Sequence, residues 1–190
     1  CRYNTSTGSI QRFEASTSAS TKGLLSNNWI STMFLDSEGL LWLGHYKGID
    51  CFNTRTNRFL SFKFGDIMSK TICFSLLEDH KGNICFGTNS GLYVYNKKKQ
   101  SIKHYTIENG LSNNVISGLE EDEKGDIWCS TFNGINHLNL SNNLIIKYYS
   151  DNGRSNNGYA CGAYFKDKDG LIYFGGNNGI TSFKPKDIIQ

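Results

Sequence analysis

The sequence predicts an all-β chain of repeated four-stranded antiparallel units, and three observations carry that prediction. Gly39, Gly82 and Gly125 stand 43 residues apart, and Gly170 follows 45 residues later. A second series, Gly48, Gly91, Gly134 and Gly179, trails the first by nine positions in every copy. Between the glycines, short apolar runs rich in Ile, Val, Phe, Tyr and Trp alternate with Gly, Asn, Asp and Ser, and no stretch carries an apolar stripe of helical period over three turns. Two phase-locked glycine series imply a tandem array, because a single-copy fold has no reason to repeat them.

The copies align from residue 24, from Asp66, from Leu111 and from Ser155, while residues 1–13 match only the second half of a unit. The first punctuation of each copy is Asp-x-x-Gly: Asp36 to Gly39, Asp79 to Gly82, Asp122 to Gly125 and Asp167 to Gly170. This string suits a hairpin on a type I turn, with Asp accepting backbone N–H bonds and Gly taking positive φ. The second punctuation is the Gly48 series, each member preceding Ile49, Leu92, Ile135 or Ile180. The third is polar and variable, at 54–57, 96–100 and 139–143. Three reversals make four strands, near 30–36, 40–45, 49–53 and 58–63 in the first copy. A four-stranded meander of this period is a propeller blade, since one such sheet cannot shield both faces and must stack on its neighbours around an axis.

The expected division is 1–22 for the outer strands of a truncated blade plus linker, blades at 23–64, 65–108 and 109–151, and an incomplete final blade at 152–190. Starting and stopping within a blade, the chain is expected to be part of a longer protein, an open arc of a larger propeller of roughly seven blades rather than a closed ring of four. Trp42, Trp128 and Tyr173 recur at one strand-2 position, with Cys85 in the second copy, and are expected to wedge between blades. Thr32, Ser75 and Gly118 share a strand-1 position where small residues suit an innermost strand.

Composition excludes several classes. Twenty glycines against one proline and 13% aromatic residues fit an all-β array with many turns, and the net charge of +3 is weak. The run Lys97 to Lys99 is expected to be solvated charge at an exposed hairpin rather than a nucleic-acid contact. The six cysteines form no C-x-x-C pair and replace apolar residues between copies, so they read as small buried hydrophobes. The four histidines fall at unrelated repeat positions, and neither a metal site nor a cofactor is expected. Nothing within these residues reads as a signal peptide, and no apolar run among them is long enough to span a bilayer.

No catalytic constellation is visible. G-x-S-x-G, phosphate-loop and H-E-x-x-H patterns are absent, and the aspartates that recur in every unit serve turns. The string Asp36, Gly39, Trp42 and its copy Asp122, Gly125, Trp128 looks like the aspartate box of sialidase propellers, which has one fewer residue between Asp and Gly and is itself a fold element. Binding is better supported. The loops entering strand 1 and those joining strands 2 and 3 open on one face, and they carry amides and aromatics, which suit sugar hydroxyls and sugar faces. The repeated Ser-Asn-Asn reads as loop capping. The candidate ligand residues are Trp29, Tyr46, Lys47, Phe132 and Tyr159, which differ between copies, with Asn89, Asn133 and Asn177 from the loops joining strands 2 and 3.

These motifs resemble the two-component regulator propeller repeat. Gly110-Leu111-Ser112-Asn113-Asn114-Val115 and Glu121-Asp122 through Gly125 to Ile127-Trp128 match its pattern closely, as do Leu25-Ser26-Asn27-Asn28 and Gly39-Leu40-Leu41-Trp42-Leu43-Gly44. The second copy departs at Ser69-Lys70-Thr71 and Cys85, and the last copy resembles the blade that precedes the family's small Ig-like sandwich domain. The resemblance implies a non-catalytic periplasmic sensor region of a hybrid histidine kinase. That region would detect an oligosaccharide, work as a homodimer, and signal through the sandwich domain and a membrane helix to a cytoplasmic kinase and transcription regulator. The membrane and nucleic acid would be met only by other parts of such a protein. The alternatives are a propeller-based polysaccharide lyase or glycosidase and a protein–protein scaffold.

Overall fold

The computed structural model describes residues 2–15, 25–60, 70–149 and 158–188. A hairpin of β1 (Arg2–Tyr3) and β2 (Ile10–Gln11) precedes the repeats. The first sheet contains β3 (Ile30–Leu35), β4 (Leu40–His45), β5 (Gly48–Asn53) and β6 (Arg58–Leu60). The second contains β7 (Cys73–Glu78), β8 (Asn83–Thr88), β9 (Gly91–Asn96) and β10 (Ser101–Tyr105), and the third β11 (Ile116–Glu121), β12 (Ile127–Thr131), β13 (Gly134–Asn139) and β14 (Leu144–Tyr148). The fourth has three strands, β15 (Tyr159–Lys166), β16 (Ile172–Gly176) and β17 (Gly179–Phe183). Every pairing is antiparallel between sequence neighbours, so each unit is a meander, as the glycine spacing predicts. The expected strand end at residue 63 and the aligned Phe62 lie outside the described residues, as do Cys1 and Ser155 to Asn157.

The Asp-x-x-Gly turns form as expected. Asp36 Oδ1 accepts the N–H groups of Glu38 and Leu40, while Gly39 at φ 81° donates to the Asp36 carbonyl. Asp79, Asp122 and Asp167 repeat the arrangement. A side chain at the glycine would be strained there.

The four sheets are blades around one axis, with β3, β7, β11 and β15 innermost and in contact in order. A bulge opens each innermost strand, at Ile30/Thr32, Cys73/Ser75, Ile116/Gly118 and Tyr159/Tyr164. It frees Ser31 to donate to the Cys73 carbonyl of the next blade, and Ser117 to donate to the Tyr159 carbonyl at 2.8 Å. At the axis, Tyr164 bonds to the Leu76 backbone and to Thr32, and its Cβ would lie 2.7 Å from a Cβ built on Gly118. The small strand-1 position is therefore a steric necessity.

Three hydrophobic clusters fill the three seams. Trp42, Cys51, Phe86 and Tyr95 lie between blades one and two, and Cys85, Leu119, Ile127 and Cys129 between two and three. Trp128, Ile172 and Phe174 lie between three and four. Trp42 and Trp128 are the expected wedges, their rings 5.7 Å from Phe86 and 4.7 Å from Phe183. Phe13, after the N-terminal hairpin, packs on Phe52 and Phe59.

Three expectations need correction. Tyr173 is only half-buried and Phe165 beside it is exposed, because among the described residues no further sheet covers that face of blade four. Cys161, in the irregular start of β15, is exposed, unlike Cys51, Cys73, Cys85 and Cys129, which are buried. Lys97 is not a solvated charge. It reaches back from the second blade into the Asp turn of the first, 3.1 Å from Asp36, 3.0 Å from Glu38 and 2.8 Å from Glu78. Lys98 and Lys99 remain exposed.

Candidate functional site

The start of β3 pairs with the end of β4, and β4 turns directly into β5, so entering loops and 2–3 turns share one face of the array. Most of its polar residues are engaged in holding the loops. Asn27 Oδ1 accepts the Trp29 N–H at 2.7 Å and Asn113 Oδ1 that of Val115 at 2.8 Å. The second amide of each pair ties to the preceding segment, Asn28 to the Ala15 N–H and Asn114 to the Ile107 N–H. Ser26 donates its N–H and hydroxyl to Asp50. Two blades later, Ser112 donates its N–H to Asn136 Oδ1 while its hydroxyl accepts from the Asn136 amide. The repeated Ser-Asn-Asn is thus a loop device, as its recurrence implies.

Electrostatics on this face are self-contained. His45 is fully buried. Its Nδ1 accepts the Lys47 N–H, so the proton sits on Nε2, 3.2 Å from Asp50 Oδ2. Burial pushes the Asp50 carboxyl up, but the bonds from His45 and Ser26 more than offset it and hold the group below its ordinary range. Thr131 does in blade three what His45 does in blade one, accepting the Asn133 N–H.

The sequence-predicted ligand residues fall into three places. Trp29 and Tyr46, 68% and 47% exposed, meet edge to face with centroids 5.3 Å apart, and Lys47 is exposed beside Tyr46. Asn89 stands apart: its side-chain oxygen accepts the Ile72 N–H at 2.8 Å, which commits it to the loop. Phe132 and Asn133 are exposed on the third blade, and Asn177 is exposed on the fourth, where its N–H bonds the Gly158 carbonyl. Tyr159 is buried, with its hydroxyl 2.9 Å from Thr181 Oγ1. A cavity at the seam of blades three and four joins Tyr159 and Asn177 to Tyr148 and Tyr149, which the sequence reading passed over. The adjacent tyrosines at the end of a strand 4 were the available signal, because that strand delivers them to the loop face.

On the opposite side, Asp122, Asp126 and His137 bring ligand-type atoms within 4.8 Å of one another. Their oxygens already serve the fold: Asp122 accepts from Lys124, Asp126 and the Trp128 indole, and Asp126 faces His137 at 3.0 Å. Nearby, burial pushes the Glu120 carboxyl up to about 7, with Lys166 opposing the shift. Burial likewise raises the thiols of Cys51, Cys73 and Cys129 to about 12, which leaves them poor nucleophiles.

Residues 24–47 and 110–133 match the model of the two-component regulator propeller. No curated protein matches the chain in sequence. Among solved structures, the chain is similar to the extracellular domain assigned to the hybrid two-component system BT3049 of B. thetaiotaomicron. The two share 26% identity at a TM-score of 0.77, over 93% of this chain and 24% of that one. The corresponding domain of BT4673 from B. thetaiotaomicron gives 26% identity and a TM-score of 0.72, over 87% of this chain and 24% of that one. The WD40 domain of Neurospora crassa Pan2 shares the fold alone, at 16% identity and a TM-score of 0.60, over 85% of this chain and 48% of that one. The chain thus spans about a quarter of the length of the bacterial domains it matches. Among the described residues, no helix is long and apolar enough to cross a membrane. Two segments of the chain thus match the two-component regulator propeller repeat, and its β-propeller fold is similar to the extracellular domains of hybrid two-component systems.

Proposed function

We propose that this chain is a non-catalytic, ligand-recognising propeller segment of the periplasmic sensor region of a hybrid two-component histidine kinase, and that its ligand is an oligosaccharide. The observation that carries the reading is the exposed Trp29–Tyr46 pair, set among amide-rich turns whose Ser26, Asn27, Ser112 and Asn113 groups are engaged in holding the loops. Exposed aromatic rings beside amides suit sugar faces and hydroxyls. Similarity to extracellular domains of hybrid two-component systems supports the sensor role and the location. Binding is transmitted by biasing the arrangement of two propeller-bearing subunits, through an Ig-like domain and a membrane helix, to the kinase and transcription regulator. Further blades of the same protein cover the exposed Met33 and Leu35 on the first blade and Phe165 and Ile180 on the fourth.

A lyase or glycosidase would need carboxylates or a Tyr/His pair converging on the loop face. The raised carboxyl, Glu120, lies instead near the Asp turns, half-buried against Lys166 and Tyr164. The test is a glycan array probed with the protein and with Trp29→Ala. Binding to at least one glycan, lost in the variant and without release of new reducing ends, is expected. Silence across plant, host and microbial glycans would replace the sensor with a protein–protein scaffold, for which the exposed apolar faces are the supporting feature.

A further inference from the structure

The loop face is not uniform. Where blades three and four meet, a cavity of about 320 Å³ opens, within the range of small-ligand sites. Tyr148 and Tyr149 at the end of β14, Tyr159 at the start of β15, Asn177 and Asn178 in the β16–β17 turn, and Thr181 of β17 supply its polar and aromatic lining. No charged residue is among the described residues that line it. The cavity at the opposite end of the same seam has the reverse character, being walled by Lys124, Lys166, Lys184 and the Asp turns.

The lining is rigid where it is aromatic. Tyr148 stacks on Trp128 with centroids 5.4 Å apart and planes at 26°, and Thr181 fixes the Tyr159 hydroxyl. Tyr149 stands more than half exposed at the mouth. The Tyr148 hydroxyl is buried and has no hydrogen-bond partner among the described residues, whereas Tyr105, at the same repeat position one blade earlier, donates to Asn143.

We propose that this cleft holds one ring of an uncharged sugar, with Tyr149 against the ring face and the Asn177 amide on ring hydroxyls. A uronate or sulfated sugar is disfavoured, because among the described residues no cation lines the cleft to offset desolvation of its charge. The proposal rests on the carbohydrate reading above and adds a place and a charge class to it.

The test titrates the full chain calorimetrically with cellotetraose, xylotetraose, mannotetraose and maltotetraose as neutral probes, and with trigalacturonate and a chondroitin sulfate disaccharide as anionic ones. A neutral probe is expected to bind, and Tyr149→Ala and Asn177→Ala are each expected to weaken it by on the order of tenfold. If no glycan binds at all, on these titrations or on the array, the carbohydrate reading falls and this proposal with it. If a neutral glycan binds equally to wild type, Tyr149→Ala and Asn177→Ala, the cleft is the wrong place while the carbohydrate reading stands. Preference for an anionic probe overturns the charge class.

Discussion

The indole Nε1 of Trp42 donates to Asp36 Oδ2 at 3.0 Å, while the other oxygen of the same carboxylate caps the hairpin turn. One aspartate therefore shapes the turn and orients the wedge that fills the next seam. Blade three repeats this with Trp128 and Asp122 at 2.9 Å, and blade four with the Tyr173 hydroxyl and Asp167 at 3.3 Å. In blade two, where Cys85 replaces the aromatic residue, the Asn83 side chain takes over as donor to Asp79 Oδ2 at 2.6 Å. The spacing of Asp and aromatic is thus one device linking turn to packing, not two.

Replacing the wedge tests that device. Trp42→Ala is expected to cost about 3–5 kcal/mol by chemical denaturation, as large buried aromatics do. Trp42→Phe keeps most of the packing and loses only the indole bond, so about 1–2 kcal/mol is expected from it. An unchanged denaturation midpoint in Trp42→Ala would show that the seam is not where blade one is stabilised.

Lys97 offers a second handle between the same blades. Its ammonium lies among Asp36 and Glu78, both nearly buried, and the exposed Glu38. Removing the cation leaves two carboxylates without it in a poorly solvated pocket. Lys97→Met should therefore cost about 2–4 kcal/mol, whereas Glu38→Ala should change stability by less than about 0.5 kcal/mol. Equal effects of the two variants would mean that the pair is screened like any surface bridge.

The blades were legible from glycine spacing because a positive-φ turn tolerates little else, and each copy had to satisfy that constraint again. The same logic separated the Ser-Asn-Asn caps from residues that vary between copies. Lys97 differs from the expected solvated charge, unlike its neighbours Lys98 and Lys99, because two of its three acidic partners, Asp36 and Glu38, lie in the first blade's Asp turn, a relation that nothing local displays. The Tyr148–Tyr159 cleft was only half legible. Tyr159 and Asn177 stood in loops expected to face a ligand, but Tyr148 and Tyr149 reach the cleft from the outermost strand of the preceding blade. That is a relation of packing, which one repeat read alone does not display.

The pH dependence of stability should have two limbs. Glu120 occupies the repeat position held elsewhere by Phe34, Leu77 and Phe165, and burial raises its carboxyl to about 7, Lys166 opposing. A folded pKa above the unfolded one means that its contribution is full below the ordinary value of 4.5 and is lost as pH rises through 7. Stability should rise as pH falls from about 8 to 5, by about 1–2 kcal/mol after screening, and this rise should vanish in Glu120→Gln. Asp36 and Glu78 work in the other direction. Burial would raise both, but the Trp42 and Leu40 bonds to Asp36, the Ser37 bonds to Glu78, and Lys97 beside both hold them low. Their contribution is present above the ordinary carboxylate values and is lost below about pH 4. Thermal melts from pH 3 to 8 on wild type and Glu120→Gln would resolve the limbs, and a flat wild-type profile between 5 and 8 would place Glu120 in water.

The axis provides the last test. Gly118 has no side chain because Tyr164 of the fourth blade occupies the space: a Cβ there would lie 2.7 Å from the Tyr164 Cβ and 2.8 Å from its ring. Tyr164 is anchored on three blades at once, by the Leu76 backbone, by Thr32 and by the face of Gly118, so it cannot move aside without breaking bonds. Gly118→Ala should accordingly destabilise by about 1–3 kcal/mol through overpacking, despite the better intrinsic conformational cost of alanine. Tyr164→Ala alone should also destabilise, by loss of buried aromatic surface. In the double variant the ring contacts at 2.8 Å are gone and only the Cβ that alanine keeps remains close, so the two effects should fall short of their sum by about 0.5–3 kcal/mol. Strict additivity would mean that the two residues do not touch, and that the innermost strands pack around the axis differently from the arrangement described.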